Sequence, residues 1–298
     1  MDLQRKKSML VINPLSGSYL KRRTIPRVVS LLQRHFPEIL VVKTEKKGDA
    51  GREVGRSVEG GIELVFCAGG DGTINEVIQA LRGSRVILAV IPAGTGNALA
   101  REIGLSLSPV RAIGELLSGR IVTVYPGLIN DHAFMLVSGA GLDAFVAGRT
   151  DHRYPLLKKS IGLFSFPVVG ILAGWRYPFP QMTFRLDGRE LRGYGILVLK
   201  GQVRIGIFSL APQLSIEKRE LGIFIFVNRG IAPVIFFFLA VLTGKQHRLS
   251  SIPFYTVREV VAGSADPVPV EMDGELTDPV PVRWSGSENG IQLLVPAK

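Results

Sequence analysis

The sequence predicts two structural classes in one chain: an α/β N-terminal three-layer domain with a parallel sheet, and a mostly β C-terminal domain. Residues 1 to about 122 alternate short apolar runs with amphipathic stretches, as βα units of a parallel sheet do. From residue 123 onward, short apolar segments bounded by Gly, Pro or Asp indicate strands of an antiparallel sandwich. A chain of 298 residues is long enough to bury a core in each domain.

Strands and helices alternate throughout the predicted first domain. The predicted strands are 9–12, 39–43, 63–68 and 86–91, and the predicted helices are 24–35, 49–58, 74–82, 97–103 and 110–117. In such a domain the loops at the carboxyl ends of the strands form the functional site. We therefore expect the glycine-rich segments that follow these strands to share one pocket.

The second predicted domain spans residues 123–288. Its predicted strands are 133–138, 182–186, 194–199, 222–227 and 257–262, and its predicted helices are 156–173 and 233–242. One more strand, 292–295, lies in the terminal segment 289–298, which could return to the first domain. The first domain is accordingly predicted to comprise residues 1–122, with that segment as a possible addition.

The composition is basic and unusually apolar, with a net charge of +11, 46% hydrophobic residues and a mean hydropathy of +0.27. No apolar run reaches the roughly 18–20 residues that a membrane crossing requires. The longest run, Ile231–Leu242, is interrupted by Pro233 and followed by Lys245, His247 and Arg248. It is either a buried helix or a helix whose apolar side contacts a membrane interface while the basic residues meet headgroups.

Charge and cysteine usage point to a cytoplasmic protein that is peripheral at a membrane. The N-terminus lacks the apolar region of a signal peptide, and the single Cys67 excludes a disulfide within the chain. The basic surplus predicts an anionic partner. Because no nucleic-acid motif or interleaved aromatic residue accompanies the charge, we expect an anionic membrane surface and not nucleic acid.

The most informative stretch is Gly69-Gly70-Asp71-Gly72-Thr73, which follows the apolar run 64–68 and leads directly into a helical pattern. Small residues allow backbone N–H groups to approach a phosphate, and a helix N-terminus favours an anion. Asp71 lies where a carboxylate could hold Mg²⁺ or accept a proton. The alternative is a tight strand-to-helix turn in which Asp71 only caps the helix.

Three further segments occur with this stretch in a fixed order. They are Asn13-Pro14-Leu15-Ser16-Gly17, Pro92-Ala93-Gly94-Thr95-Gly96-Asn97 and Met272-Asp273-Gly274-Glu275. Together the four segments resemble the diacylglycerol kinase catalytic family, which also includes sphingosine and ceramide kinases. The resemblance implies an ATP- and Mg²⁺-dependent kinase that phosphorylates a lipid hydroxyl, with ATP in a cleft between an α/β domain and a β-sandwich.

The same resemblance implies a set of nucleotide-binding residues. They are Asn13, Pro14, Ser16, Gly17, Thr44, Gly69, Gly70, Asp71, Gly72, Thr73, Asn75, Glu76, Thr95, Asn97 and Arg101. Asp71 would act on the nucleotide through its bound Mg²⁺, and the hydroxyls of Thr44 and Thr95 would assist.

The resemblance places the general base in the segment 272–275. Asp273 is the first choice and Glu275 the second, and both are expected on one face of an extended segment, so one could act while the other orients it. The residues alone do not separate the two. Without the resemblance, Asp273-Gly274 is an ordinary hairpin turn.

Asp143, in Gly141-Leu142-Asp143-Ala144, is implied to bind the lipid headgroup, the alternative being an acidic residue in a turn.

The chain also departs from the family. Ser18 stands where many bacterial relatives have lysine, and Lys21 could compensate. Lys218 and Gly222 stand where the family has aspartates that hold a structural Mg²⁺, so we expect that metal to be absent.

Two other functions remain open on the sequence. An NAD kinase shares the Gly-Gly-Asp-Gly loop but not the first and last segments. A non-catalytic nucleotide- or lipid-binding regulator is suggested by the eroded metal site and opposed by the intact Asp71, Asp273 and Glu275. The lipid itself is not specified: diacylglycerol, a sphingoid base, ceramide and a prenol all present a hydroxyl.

Overall fold

The computed structural model describes residues 3–17, 23–153, 174–205 and 208–297. The predicted helix 156–173 and the residues Ser18 and Lys21 lie outside these ranges. The chain divides into two compact units, Met1–Tyr125 with Glu288–Lys298 (unit 1) and Pro126–Ser287 (unit 2).

Unit 1 alternates strands and helices. Its strands are β1 Ser8–Ile12, β2 Leu40–Lys43, β3 Leu64–Gly69, β4 Ile87–Pro92 and β5 Arg120–Val124, and its helices are α1 Ile25–His35, α2 Asp49–Glu59, α3 Asp71–Leu81, α4 Ala98–Glu102 and α5 Pro109–Leu117. The C-terminal strand Ile291–Val295, called β20 because nineteen strands precede it in the described ranges, also lies in this unit.

One six-stranded sheet forms the centre of unit 1, in the order β2-β1-β3-β4-β20-β5. All neighbouring pairs are parallel except β20 and β5, so β5 is an antiparallel edge strand that the sequence pattern did not indicate. β1, β3 and β4 are buried along their whole length because helices cover the sheet. The helices pack in two pairs, α2 with α3 and α1 with α5, and both pairs contact the sheet.

Unit 2 is mostly β. Its strands are β6 Gly127–Ile129, β7 His132–Phe134, β8 Val137–Ala140, β9 Met182–Leu186, β10 Arg189–Gly193, β11 Gly195–Leu199, β12 Arg204–Ile205, β13 Phe208–Ser209, β14 Leu221–Phe226, β15 Phe254–Val257, β16 Glu259–Ser264, β17 Val270–Met272, β18 Glu275–Thr277 and β19 Val282–Gly286. Its helices are α6 Leu142–Arg153 and α7 Ala232–Val241.

Two six-stranded antiparallel sheets make up the body of unit 2, in the orders β10-β9-β16-β19-β6-β7 and β15-β14-β11-β8-β17-β18. One hydrophobic core draws residues from both sheets, with Phe184 and Trp284 from the first and Ile196, Ile223 and Val270 from the second. The shared core makes the pair of sheets a sandwich. The predicted fold class, α/β followed by an antiparallel β region, is confirmed.

Two predicted strands of unit 2 are wrong in the same way. The segment 133–138 contains parts of β7 and β8, and the segment 257–262 contains the end of β15 and the start of β16. In both cases the two strands belong to different sheets. The apolar pattern continues while the chain crosses from one sheet to the other, because both sheets bury the same core, so the pattern alone does not mark the crossing.

The apolar segment around Pro233 forms α7, which is buried on one side and exposed on the other. Phe237 is 3% exposed, whereas Phe236, Leu239 and the following Leu242 are 60%, 54% and 50% exposed. Within the described ranges, no helix combines the length and the apolar character that crossing a bilayer requires.

Candidate functional site

The loops after β1, β3 and β4, called the first, second and third loops, meet at one edge of the unit 1 sheet. They meet there because their strands run parallel to one another. The loops after β3 and β4 touch through their backbones, and the loop after β1 adds the Ser16 side chain. A Cβ atom added to Gly94 would overlap the Cα of Gly70, and one added to Gly70 would lie 3.1 Å from Ser16 Oγ. The three glycine-rich segments that the sequence singled out are therefore in direct contact, and larger side chains would separate them.

The side chains of Asn13 and Thr73 tie the first loop to the second. Asn13 Nδ2 donates to Thr73 Oγ1 at 3.0 Å, and Asn13 Oδ1 accepts from the N–H of Leu15 at 3.0 Å. Both polar ends of Asn13 thus hold protein groups. Pro14 is exposed, while Ser16 and Gly17 are partly exposed beside them.

Asp71 begins α3, but its carboxylate caps a different helix. Oδ1 accepts from the N–H of Ala98 at 2.7 Å, at the start of α4, and Oδ2 lies so close to Gly96 that a Cβ there would be 2.7 Å away. Burial raises the pKa of Asp71, although the backbone N–H groups of Ala98, Asn97 and Leu99 act in the opposite direction. Asp71 therefore joins the second and third loops and carries its charge in a partly buried position.

Asn97 shapes the third loop from inside. Its side chain is 1% exposed, its Oδ1 accepts from Gly94 N at 2.8 Å, and its Nδ2 donates to Gly94 O at 2.8 Å. Its backbone is left-handed, with φ 50°, a conformation that asparagine tolerates better than most residues. The exposed groups of this loop are Thr95, Gly96 and Arg101, whose Nε donates to Gly96 O at 3.1 Å.

Other predicted nucleotide-binding residues make structural contacts. Glu76 accepts from the N–H groups of Gly48 and Ala50, at 2.9 and 3.2 Å, at the start of α2. Thr44 is buried and its Oγ1 donates to Ile12 O at 3.4 Å. Asn75 Oδ1 accepts from Gln79 Nε2 at 3.1 Å within α3. The carboxylate of Glu76 therefore serves the N-terminus of α2, which favours a negative charge.

In unit 2, Asp273 and Gly274 form the two-residue turn between β17 and β18. Both have positive φ, 48° and 89°, as the favoured two-residue hairpin turns require. Asp273 Oδ2 accepts from Met135 N at 2.8 Å, and Oδ1 accepts from Leu136 N and Val137 N at 3.1 and 3.2 Å. The expectation that Asp273 and Glu275 share one face of an extended segment is wrong, because the chain reverses between them.

Glu275 lies beyond that turn at the start of β18. It pairs with Met272 in the hairpin, and its side chain is exposed. The two predicted base residues thus differ in their surroundings. Asp273 is held by three consecutive backbone N–H groups, while Glu275 extends from an exposed position of the hairpin.

Asp143 lies at the start of α6 and contributes to the wall of a cavity of about 100 Å³. The cavity is largely apolar, and its lining includes Val146, Phe226, Val234 and Phe237. Asp143 Oδ1 accepts from Ala144 N at 2.8 Å, and within the described ranges its buried Oδ2 has no hydrogen-bond partner. Burial raises the pKa of Asp143 to about 6.

Glu271 is a buried acid that the sequence analysis missed. Its Oε2 accepts from Gly274 N at 2.7 Å, and its Oε1 has no hydrogen-bond partner within the described ranges. Burial raises the pKa of Glu271 well above its ordinary value, and the nearby charges of Asp143 and Asp273 add to that rise. An acid two positions before the predicted base was the only available signal, and it is a weak one.

Comparison with known proteins identifies relatives of the whole chain. Residues 7–129 match the family model "Diacylglycerol kinase catalytic domain". Proteins named diacylglycerol kinase from Staphylococcus saprophyticus and Staphylococcus carnosus are 25% and 26% identical, each over 98% of this chain and 96% of the relative. A crystal structure from Bacillus anthracis, described as a candidate diacylglycerol kinase, has a TM-score of 0.82 at 20% identity and covers 97% of this chain and 95% of its own.

Proposed function

Because residues 7–129 belong to the diacylglycerol kinase catalytic-domain family, we propose that this protein is a lipid kinase that transfers the γ-phosphoryl group of ATP to a hydroxyl of a membrane lipid. Diacylglycerol and sphingoid-type lipids are the first substrates to test. The observation that carries the proposal is the close contact of the three glycine-rich loops at one edge of the unit 1 sheet.

The exposed groups of these loops suit a polyphosphate. Gly72 and Gly96 are exposed and carry no side chain, so a phosphate could approach the backbone there, while Thr95 offers a hydroxyl and Arg101 a guanidinium. Bound ATP would supply the phosphoryl group, and its Mg²⁺ would neutralise phosphate charge. Asp71 brings a carboxylate to these groups, because its Oδ1 accepts from Ala98 N and its Oδ2 lies beside Gly96. Asn13, Thr73 and Asn97 hold the loops in shape through their own hydrogen bonds.

We assign the general base to Glu275 in preference to Asp273. A base must lie within hydrogen-bond reach of the substrate hydroxyl, which favours an exposed side chain. The carboxylate of Asp273 already accepts three backbone N–H groups, whereas the side chain of Glu275 is exposed. Asp273 would then fix the turn from which Glu275 acts.

The lipid would bind to unit 2. The apolar cavity beside Asp143 would receive part of an acyl chain, and the Asp143 carboxyl would hydrogen-bond a hydroxyl or an amine. Helix α7 contributes Phe237 and Phe238 to the cavity wall and presents Phe236 and Leu239 outward. The exposed side of α7 and the basic Lys245 and Arg248 that follow it would dock on an anionic membrane surface.

The experiment is a transfer assay with γ-labelled ATP against diacylglycerol, sphingoid bases, ceramide and prenols in mixed micelles. The expected result is a labelled lipid product whose formation requires Mg²⁺. Asp71→Asn keeps an oxygen acceptor for Ala98 N and removes the charge, so it should retain the fold and lower turnover at least 100-fold. Asp131→Asn, at an exposed turn of unit 2, is the matched control and should be fully active. A protein that binds no ATP and labels no lipid would overturn the proposal.

A further inference from the structure

Lys200 is an unusual residue in this fold because its side chain is completely buried. It directly follows β11 and is 0% exposed, as are the large apolar residues of the core. Burying an ammonium group is costly unless the surrounding polar groups replace its hydration. The atoms around Lys200 Nζ therefore need a specific explanation.

Three backbone carbonyl oxygens, all from the segment between β13 and β14, accept hydrogen bonds from Lys200 Nζ. They belong to Ser215 at 3.5 Å, Glu220 at 3.3 Å, and Lys218, the shortest contact of the three. An ammonium group has three N–H donors, so three carbonyls are enough to satisfy it. Residues 215–220, which we call the carbonyl loop, thus turn their oxygen atoms towards one buried positive charge.

A structural Mg²⁺ does not fit this loop. The side chain of Lys218 is exposed and carries the wrong charge. A Cβ added to Gly222 would lie 2.5 Å from Leu214 and 2.9 Å from Phe254, so an acidic side chain has no room there. The described ranges contain no group of three or more His, Cys, Asp or Glu residues that could hold a metal ion. A divalent cation would also be repelled by the Lys200 ammonium.

We propose that the Lys200 ammonium is a built-in cation that holds the carbonyl loop in place of a bound metal ion. The loop presents oxygen atoms as a cation site does, and the lysine supplies the charge from within the chain. The fold of unit 2 is consequently independent of divalent cations, and any Mg²⁺ requirement of the protein lies with its substrate.

Thermal unfolding of variants tests this inference. Lys200→Met keeps the aliphatic stem but removes the ammonium from the three carbonyls, of which Ser215 O still accepts from Lys218 N at 3.2 Å, so the melting temperature should fall by at least about 5 °C. Lys218→Met is the matched control, because it removes an exposed ammonium from the same loop and leaves the backbone carbonyl intact. Its melting temperature should equal that of the wild type. An unchanged melting temperature for Lys200→Met would overturn the inference.

Lys200→Glu tests whether the loop is a cation site. It replaces the buried ammonium beside the three carbonyls with a carboxylate, so excess MgCl₂ or CaCl₂ should raise its melting temperature and leave that of the wild type unchanged. A rise in the wild type, or none in Lys200→Glu, would contradict the proposal. If the variants do not fold, acetylation of the native wild type followed by mass spectrometry tests whether the Lys200 ammonium is enclosed by the carbonyl loop. Lys200 should stay unmodified while Lys218 reacts, and equal reaction of both would overturn the inference.

Discussion

The carboxylate of Asp273 accepts hydrogen bonds from three consecutive backbone N–H groups, Met135 to Val137, at 2.8 to 3.2 Å. An asparagine at this position has only one side-chain oxygen. Its amide NH₂ group would face a backbone N–H group, which cannot accept a hydrogen bond. We therefore expect Asp273→Asn to destabilise the protein by about 1–3 kcal/mol, since a buried donor loses its acceptor. Urea unfolding measures this loss directly.

Glu275→Gln, unlike Asp273→Asn, should have little effect on the stability of the protein. The side chain is exposed, so the free energy of unfolding should change by less than about 0.5 kcal/mol, while turnover falls ~10²–10⁴-fold if Glu275 is the base. Glu190→Gln, an exposed glutamate on β10 that pairs with Arg185, is the control for removing a carboxylate. Full activity of Glu275→Gln together with a stable, inactive Asp273→Asn would return the role of base to Asp273.

The buried acid Asp143 makes stability depend on pH. Burial raises its pKa from 3.8 to about 6, and that of Glu271 is raised as well. The folded protein thus keeps protons that the unfolded chain releases above pH 4, so stability should decrease as the pH rises from about 4 through 6. Asp143→Asn should reduce this decrease and stabilise the protein at pH 7 by on the order of 2 kcal/mol.

Chemical unfolding of wild type and Asp143→Asn at pH 4.5 and pH 7 measures that difference. The same variant should raise the KM for the lipid and leave ATP affinity unchanged, because Asp143 lines the unit 2 cavity. If Asp143→Asn were less stable than the wild type at pH 7, the carboxylate would be contributing a favourable interaction instead of a desolvation cost.

At the scale of single elements, α7 exposes two large apolar side chains on one side. Phe236 and Leu239 are 60% and 54% exposed on a helix whose other side is buried. Phe236→Ser/Leu239→Ser should leave the free energy of unfolding nearly unchanged and weaken vesicle binding about 10-fold or more, since each side chain would bury apolar area in the interface. Vesicle sedimentation measures the binding.

Leu40→Ser is the control for the α7 variants, because Leu40 is 49% exposed on β2 in unit 1. It should bind vesicles as the wild type does. Equal binding of wild type and the α7 double variant would remove α7 from the docking surface.

The strands and helices of unit 1 were predictable because each produces a recognisable pattern of apolar and small residues in the sequence. β1, β3 and β4 are continuous buried runs, and each is followed by a loop rich in small residues. Side chains whose partners lie far along the chain were not predictable. Glu76 caps a helix that begins 27 residues earlier, at Asp49, and Lys200 reaches carbonyls 15 to 20 residues away. Periodicity carries no information about such pairings, and for the same reason the buried Glu271 was missed.

The whole molecule carries a net charge of +11, and this surplus should govern its association with membranes. Exposed charges are screened within about 8 Å at physiological ionic strength, and each well-placed Lys or Arg contributes about 1 kcal/mol near an anionic surface. Binding to vesicles should therefore rise with the fraction of anionic lipid and fall about 10-fold or more between low and high salt. Vesicles of neutral lipid are the control, and binding indifferent to both variables would leave the charge without a membrane role.

The strand β20 has a consequence for how the protein is made. It lies between β4 and β5 in the unit 1 sheet, but it is translated only after all of unit 2, residues 126–287. A nascent chain that has completed β4 thus presents an unpaired sheet edge on the ribosome throughout the synthesis of unit 2. Open edges of this kind pair with other chains. Slow translation of unit 2 would prolong that interval, so we expect the yield of folded protein to depend on elongation rate and on chaperones that shield strand edges.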